Sequence, residues 1–194
     1  MKTVVLLYNS CCIYEIVILN YFLNYSKKEV SFVSIDGESI TSMEGYSINV
    51  SAKLSDISTD NVALFVVPGG KITEIDTPLV HETLQKVKSN HGIIAGICAG
   101  VDVLDHAGIL EGIESTHSTD RNVVVTDHVI TSRANGYVDF AIEVAKKMDL
   151  FENEDDLKET IAFWRDYRKR IVSGRSPNKT GILARDARHA SILL

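Results

Sequence analysis

Gly92-Ile93-Ile94-Ala95-Gly96-Ile97-Cys98-Ala99-Gly100, continued by Val101-Asp102-Val103-Leu104-Asp105-His106-Ala107, decides the fold. Its first half is a short, unbroken apolar run of the kind that forms a strand buried on both faces of a parallel sheet. Its second half carries apolar residues at helical spacing, so a strand must turn into a helix at Cys98. Gly96 and Gly100 stand two residues to either side of that corner. This spacing, with a nucleophile between two glycines, lets a strained residue occupy a strand-to-helix turn with its side chain exposed. The nucleophile here is a thiol. A sulfur at a helix start faces unpaired N–H groups, which predicts a lowered pKa for Cys98 and a reactive thiolate. A small buried core residue is the alternative use of such a cysteine.

Upstream, residues 61–67 read as a strongly apolar strand that ends at Pro68-Gly69-Gly70. Two glycines at the carboxyl end of a parallel strand let backbone N–H groups approach a ligand, so Gly69 or Gly70 is the expected oxyanion donor. Residues 3–8 form a β-branched central strand, and Asn9-Ser10 turns the chain into an expected helix over residues 12–24. That helix is apolar nearly all round. Its one acid of ordinary strength, Glu15, is therefore expected to be desolvated and held toward its neutral, proton-donating form. The competing reading is a first-turn glutamate favoured by the helix dipole. Residues 30–35 read as a second strand, and residues 39–50 as a hairpin at a sheet edge turning at Glu44-Gly45. Thr77-Pro78 starts a helix that ends near Asn90.

Downstream, Glu111-Gly112 turns the chain into an alternating strand over residues 113–117, whose end presents His117. Residues 123–126 and 129–132 flank Asp127-His128 as a hairpin. Residues 136–148 make an amphipathic helix. Asn153 caps a last helix, with Glu154, Asp155 and Asp156 in its first turn and Arg168, Lys169 and Arg170 in its last. Leu157, Ile161, Trp164 and Ile171 form its core face. Strands alternating with helices imply a mostly parallel sheet covered on both faces, joined by right-handed crossovers. Gly69, Gly70, Cys98 and His117 then gather on one rim, with Glu15 on the helix leaving it.

The chain has 194 residues, long enough for one domain with a large core. Residues 1–174 are expected to form a single α/β domain. Residues 175–194 lose all periodicity and are expected to be a basic tail, disordered or foreign to the domain. From Arg165 onward lie eight of the twenty basic residues against two acids; the whole chain has a net charge of −6, so the body before Arg165 is the more strongly acidic part. That balance argues against nucleic acid as the main partner. No apolar run is long enough for a bilayer and no cleavage site follows the first strand, so no membrane partner is expected. Three cysteines make no disulfide framework, and a reducing, cytoplasmic setting is expected. Glu15, Cys98 and His117 lack the local spacing of a dedicated zinc site, so neither metal nor cofactor is expected. His81, His91, His106, His128 and His189 read as surface or loop histidines, and Asp102 as a solvated first-turn acid.

Val66-Val67-Pro68-Gly69-Gly70, Ala95-Gly96-Ile97-Cys98-Ala99-Gly100, Ser115-Thr116-His117 and Val129-Ile130-Thr131-Ser132-Arg133 resemble, in order and spacing over residues 1–150, the ThiJ/PfpI superfamily, the family of the Parkinson-associated protein deglycase. The resemblance implies a flavodoxin-like three-layer α/β/α sandwich of the class I glutamine amidotransferase type with a nucleophile elbow, commonly a homodimer. It also implies a nucleophile at Cys98, a partly protonated Glu15 hydrogen-bonded to the sulfur, a histidine at His117, and an oxyanion hole from the N–H groups of Gly70 and Ala99. Two departures stand out. Protease and amidase branches place a histidine directly after the nucleophile, where this chain has Ala99. The family's Ser-Arg-Gly-Pro-Gly stretch is here Ser132-Arg133-Ala134-Asn135-Gly136.

The functional expectation is an enzyme acting on a small reactive carbonyl. Cys98 adds to the aldehyde carbon, the oxyanion hole holds the developing charge, and Glu15 or His117 relays protons. An oxidative-stress sensor or chaperone-like protein without turnover, in which Cys98 is oxidised, is the first alternative. In it Cys12, three residues before Glu15, could trap the sulfenic form as a disulfide. Plain packing is the simpler use of Cys11 and Cys12. Hydration or amide hydrolysis of another small electrophile is the second alternative.

Overall fold

The computed structural model describes residues 2–168. The basic tail, Ile171 and the boundary at residue 174 lie outside the described residues. Strand β1 (Lys2–Leu6) lies in the interior of a seven-stranded sheet, third from one edge. On one side it pairs with β2 (Val30–Ser34), which pairs in turn with the short edge strand β5 (Ala52–Lys53). On the other it pairs with β6 (Val62–Val67), followed by β7 (Ile93–Ile97), β9 (Val129–Ser132) and β8 (Val123–Thr126). All neighbours are parallel except β8 and β9, which form the expected hairpin about Asp127-His128.

Strands β1, β6 and β7 read as unbroken apolar runs because both their faces are covered: Val4, Val5, Leu6, Leu64, Phe65, Val66, Val67, Ile94, Ala95 and Ile97 are wholly buried. Helix α1 (Val17–Tyr25) connects β1 to β2 in one direction along the sheet. Helices α2 (Pro78–Ser89) and α3 (Gly100–His106) carry the chain from β6 to β7 and onward to β9 in the other. Right-handed crossovers of opposite direction place their helices on opposite faces, so α1 packs beside α4 (Tyr137–Lys147) and α2 beside α3. The result is the flavodoxin-like α/β sandwich. The strand order reverses between β1 and β6, and the crevice at their carboxyl ends is where open α/β sheets bind ligands.

Four local expectations need correction. Helix α1 begins at Val17, not near Cys12, because residues 11–16 commit their N–H groups elsewhere: Cys12 to the Gly69 carbonyl at 2.8 Å and Tyr14 to the Glu44 carboxylate at 2.8 Å. Glu15 thus sits in a turn ahead of the helix. The hairpin over residues 39–50 does not extend the main sheet; its strands β3 (Ile40–Thr41) and β4 (Ser47–Ile48) pair only with each other. It folds over the turn instead, where the Met43 N–H donates to the Cys11 carbonyl at 2.8 Å.

Residues 113–117 are not a strand. The place beside β9 is taken by β8, and Ser115 organises a turn through its hydroxyl and carbonyl, which accept from the N–H groups of His117 and Ser118. Finally, α5 (Glu154–Trp164) has the expected Asn153 cap, whose side chain accepts from Asp155 and Asp156 at 3.0 Å, but it ends at Trp164. Tyr167, with φ of 55°, turns the chain out, so Arg168 lies beyond the helix and Lys169 and Arg170 lie outside the described residues.

Candidate active site

Cys98 occupies the corner between β7 and α3 with φ of 55°, the left-handed conformation expected of a nucleophile elbow. The flanking glycines are there for contact. A methyl group on Gly100 would lie 2.2 Å from the Val67 carbonyl oxygen, and one on Gly96 would lie 2.9 Å from Leu104 Cδ2. Their bareness lets the corner tuck against the end of β6, beside Pro68-Gly69-Gly70. Tyr8, wholly buried after β1, donates its hydroxyl proton to the Pro68 carbonyl at 2.9 Å and fixes that loop to the strand next door.

Gly69 is the point where three groups meet. Its N–H donates to Glu15 Oε2 at 2.7 Å, and its carbonyl accepts from Cys12. A methyl group on its Cα would fall 2.6 Å from Cys98 Cβ, 2.9 Å from Sγ and 2.8 Å from Glu15 Oε2. Because that N–H is committed to Glu15, Gly69 is not a free oxyanion donor. Gly70, with φ of 126° and a methyl position only 2.2 Å from the Ser10 carbonyl oxygen, is held as an isolated bridge to Cys11. The Ala99 N–H points at the Cys98 sulfur. Cys98 and Glu15 hydrogen-bond to each other, and the Tyr14 hydroxyl reaches Glu15 Oε1 at 3.4 Å.

Glu15 is 1% exposed. Burial raises its pKa more than the Gly69 N–H and the neighbouring hydroxyl and thiol lower it, so its neutral form is favoured. The expectation for the thiol is reversed. Burial pushes the Cys98 pKa up, the Glu15 carboxylate adds to the rise when ionised, and the Ala99 N–H opposes both. The helix proper begins only at Gly100 and has seven residues, too short for its dipole to overcome burial. A proton on Glu15 removes the repulsion and supplies a donor to the sulfur, so the thiolate depends on the protonation of its neighbour.

His117 is not brought to the sulfur by any described contact. Its Nε2 lies 3.1 Å from Asp102 Oδ1 and its Nδ1 lies 3.3 Å from Asp105 Oδ2, both on α3. Asp102, expected to be simply solvated, is thus paired, and it adds a small upward push on Cys98. His117 also borders a polar hollow of about 250 Å³ with Thr116, Ser118, Thr119, Asp120 and Arg133. The Arg133 guanidinium is partly satisfied there by the Thr119 carbonyl at 3.1 Å.

Sequence reasoning missed Tyr14 and Glu44. Tyr14 adjoins Glu15 in the chain, which was the available signal; its ring stands edge-on to Tyr137 at 5.9 Å. Glu44 lies at the hairpin tip, with no local mark of its partner. His81 was expected at the surface but is partly buried, and the Asp76 carboxylate bridges His81 Nε2 at 2.7 Å and His106 Nδ1 at 2.9 Å. His189 lies outside the described residues. Among the described residues no cluster of three His, Cys, Asp or Glu is placed to hold a metal, and no helix is long and apolar enough to cross a membrane.

A mostly parallel sheet with a cysteine elbow beside a buried glutamate, at the point where strand order reverses, defines a flavodoxin-like α/β protein with a candidate thiol site. The model of the DJ-1/PfpI family matches residues 1–147, and the chain belongs to that family. It is 26% identical over 161 residues to the glutathione-independent glyoxalase DJR-1.2 of Caenorhabditis elegans, covering 74% of this chain and 86% of that protein. It is 29% identical over 125 residues to the deglycase PfpI of Pyrococcus furiosus, covering 56% of this chain and 75% of that one. Among solved structures, the fold matches a ThiJ/PfpI family protein of Bacillus anthracis with a TM-score of 0.79 at 22% identity, over 86% of this chain and 91% of that one. A DJ-1 superfamily protein of Agrobacterium tumefaciens matches with a TM-score of 0.77 at 22% identity, over 87% and 100%.

Proposed function

We propose that this chain is a cysteine-dependent enzyme that converts small reactive carbonyls, of the glyoxal type or as their adducts, to hydroxy acids. The observation that carries the reading is the buried Glu15 carboxyl hydrogen-bonded to Cys98 at a strained elbow. Relatives named glyoxalase and deglycase support the substrate class.

Cys98 adds as thiolate to the aldehyde carbon of a 2-oxoaldehyde, and the carbonyl oxygen takes up charge near the N–H groups of Gly70 and Ala99. Glu15 gives that oxygen its proton and the hemithioacetal forms. Loss of the proton on the former aldehyde carbon and its return to the adjacent carbon yields a 2-hydroxy thioester. Water then releases the hydroxy acid and restores the thiol. The sequence is redox-neutral: one carbon is oxidised as its neighbour is reduced. Glu15 is the relay because both ring nitrogens of His117 are taken by α3 carboxylates.

The reading includes a homodimer. Tyr14, Val17, Met43 and Tyr46 are 46–60% exposed, on the turn before α1, at its start and on the hairpin folded over that turn, and they offer an apolar face beside the site. Light scattering on the purified chain tests that part. Lactate release from methylglyoxal by wild type, Cys98→Ala and Glu15→Gln tests the chemistry. Turnover in wild type that falls to background in both variants supports it, whereas equal background rates in all three remove it.

A further inference from the structure

Cys12 is a second thiol at the Cys98 site. Its N–H is bonded to the Gly69 carbonyl, and the Cα of that same glycine lies against Cys98 Cβ and Sγ, so one residue separates the two cysteines. Both are partly exposed. Cys11, by contrast, is wholly buried, and its backbone is tied to Tyr8 through its N–H and to Met43 through its carbonyl. Cys12 stands in the turn ahead of α1, not in the helix, so its side chain is not locked into a helical ladder. Cys12 and Cys98 are both free thiols.

We propose that Cys12 is the resolving thiol for an oxidised Cys98, closing a reversible disulfide that shuts the site when a hydroperoxide is present. The proposal rests on Cys98 being the reactive group, as in the reading above, but not on carbonyl turnover. In the first step the Cys98 thiolate attacks the peroxide's distal oxygen; the O–O bond breaks, Cys98 becomes the sulfenic acid, and the alcohol or water leaves with one proton. In the second, the Cys12 sulfur attacks the Cys98 sulfur, the S–O bond breaks, and the Cys12 proton departs with hydroxide as water. Two thiols have lost two electrons to the peroxide, and a dithiol reductant returns them.

Proximity decides the outcome. A thiol held beside the sulfenic acid reacts intramolecularly and outruns the second peroxide needed for sulfinic acid. Burial raises the pKa of both thiols, but only Cys98 stands at the strained corner with the Ala99 N–H on its sulfur, and this makes Cys98 the group struck first. Closing the bond needs Cβ atoms about 3.5–4.5 Å apart, an approach that Gly69 permits because it places no side chain against Cys98.

The test exposes the full reduced chain to limiting hydrogen peroxide, then reads intact mass, a non-reducing peptide map and alkylatable Cys98, before and after dithiothreitol. Wild type is expected to lose two hydrogens, to yield a linked Cys12–Cys98 peptide pair, and to regain alkylatable Cys98 with dithiothreitol. Cys12→Ser should gain oxygens instead and recover much less; Cys11→Ser should behave as wild type. Oxygen addition without the linked pair in wild type, a bond to Cys11, or a disulfide persisting in Cys12→Ser overturns the proposal. A chain that forms the disulfide yet never releases lactate keeps this inference and loses the carbonyl reading. One that releases lactate but only adds oxygens does the reverse.

Discussion

The N–H of Gly69 donates to Glu15 Oε2 at 2.7 Å, and the same glycine lies flush against the Cys98 side chain. One residue thus sets both the position of the acid and the space left for the sulfur. Gly69→Ala would place a carbon 2.6 Å from Cys98 Cβ and 2.8 Å from Glu15 Oε2, closer than such contacts allow. Overpacking of this kind costs about 1–3 kcal/mol. The expected result is a folded chain with a lower urea midpoint and a marked loss of Cys98 alkylation rate. An unchanged rate would show that the Glu15–Cys98 contact does not control the thiol.

The thiol's ionisation tests the pair from the other side. Burial raises the Cys98 pKa first and the Glu15 charge second. Glu15→Gln removes the charge but keeps a donor, so the iodoacetamide profile of Cys98 should move to lower pH than in wild type. Glu15→Leu removes charge and donor together and should titrate above Glu15→Gln. Cys98 should label well before Cys11, which is wholly buried and pushed up to about 11. Three coincident profiles would mean that Glu15 does not act on the sulfur.

The parallel sheet, the elbow and the glycine pair were legible because each is written in consecutive residues: apolar runs, flanking glycines and Pro68-Gly69-Gly70 carry their geometry with them. Glu15 was legible as a desolvated acid because its neighbours are apolar. Its setting in a turn was not, since that depends on Tyr14 meeting Glu44 thirty residues later and on Cys12 meeting Gly69. The upward direction of the Cys98 shift is illegible in the sequence for a related reason. A helix dipole can be inferred from sequence, but burial and the distance to a carboxylate arise only when β1, β6 and β7 come together. Residues 113–117 alternate like a strand, and only the prior claim of β8 on the β9 edge makes them a turn.

The Asn153 cap is a separable element far from the thiol in sequence and chemistry. Its side chain satisfies two N–H groups at the start of α5, and Asn153→Ala leaves both without that partner. The expected cost is about 1 kcal/mol, read as a lower urea midpoint with unchanged slope. Alkylation of Cys98 should not change. Glu15→Leu and Asn153→Ala combined should add within about 0.5 kcal/mol, as for independent sites; strong coupling would show that α5 supports the site through α1.

Two glutamates anchored on the same turn should respond to pH with opposite sign. Glu15 has a raised pKa, set first by burial, so the folded chain holds its proton more tightly than the unfolded chain does. Its stabilisation is complete below the unfolded value of about 4.3 and is lost as pH rises through the folded value. Glu44 is the reverse case. Partial burial pushes it up, but the Tyr14 N–H and the Ser42 hydroxyl outweigh that and hold it below the ordinary carboxylate value. Its stabilisation is present above about 4.3 and is lost as pH falls through the folded value. Melting temperatures of wild type, Glu15→Gln and Glu44→Gln across pH 3 to 9 separate the two. Wild type should lose ground to Glu15→Gln as pH rises above the unfolded value, and gain ground on Glu44→Gln as pH climbs from the acid limit toward it. If both differences change in the same direction with pH, the turn is not held by one neutral and one ionised carboxyl, and the proton assigned to Glu15 must sit elsewhere.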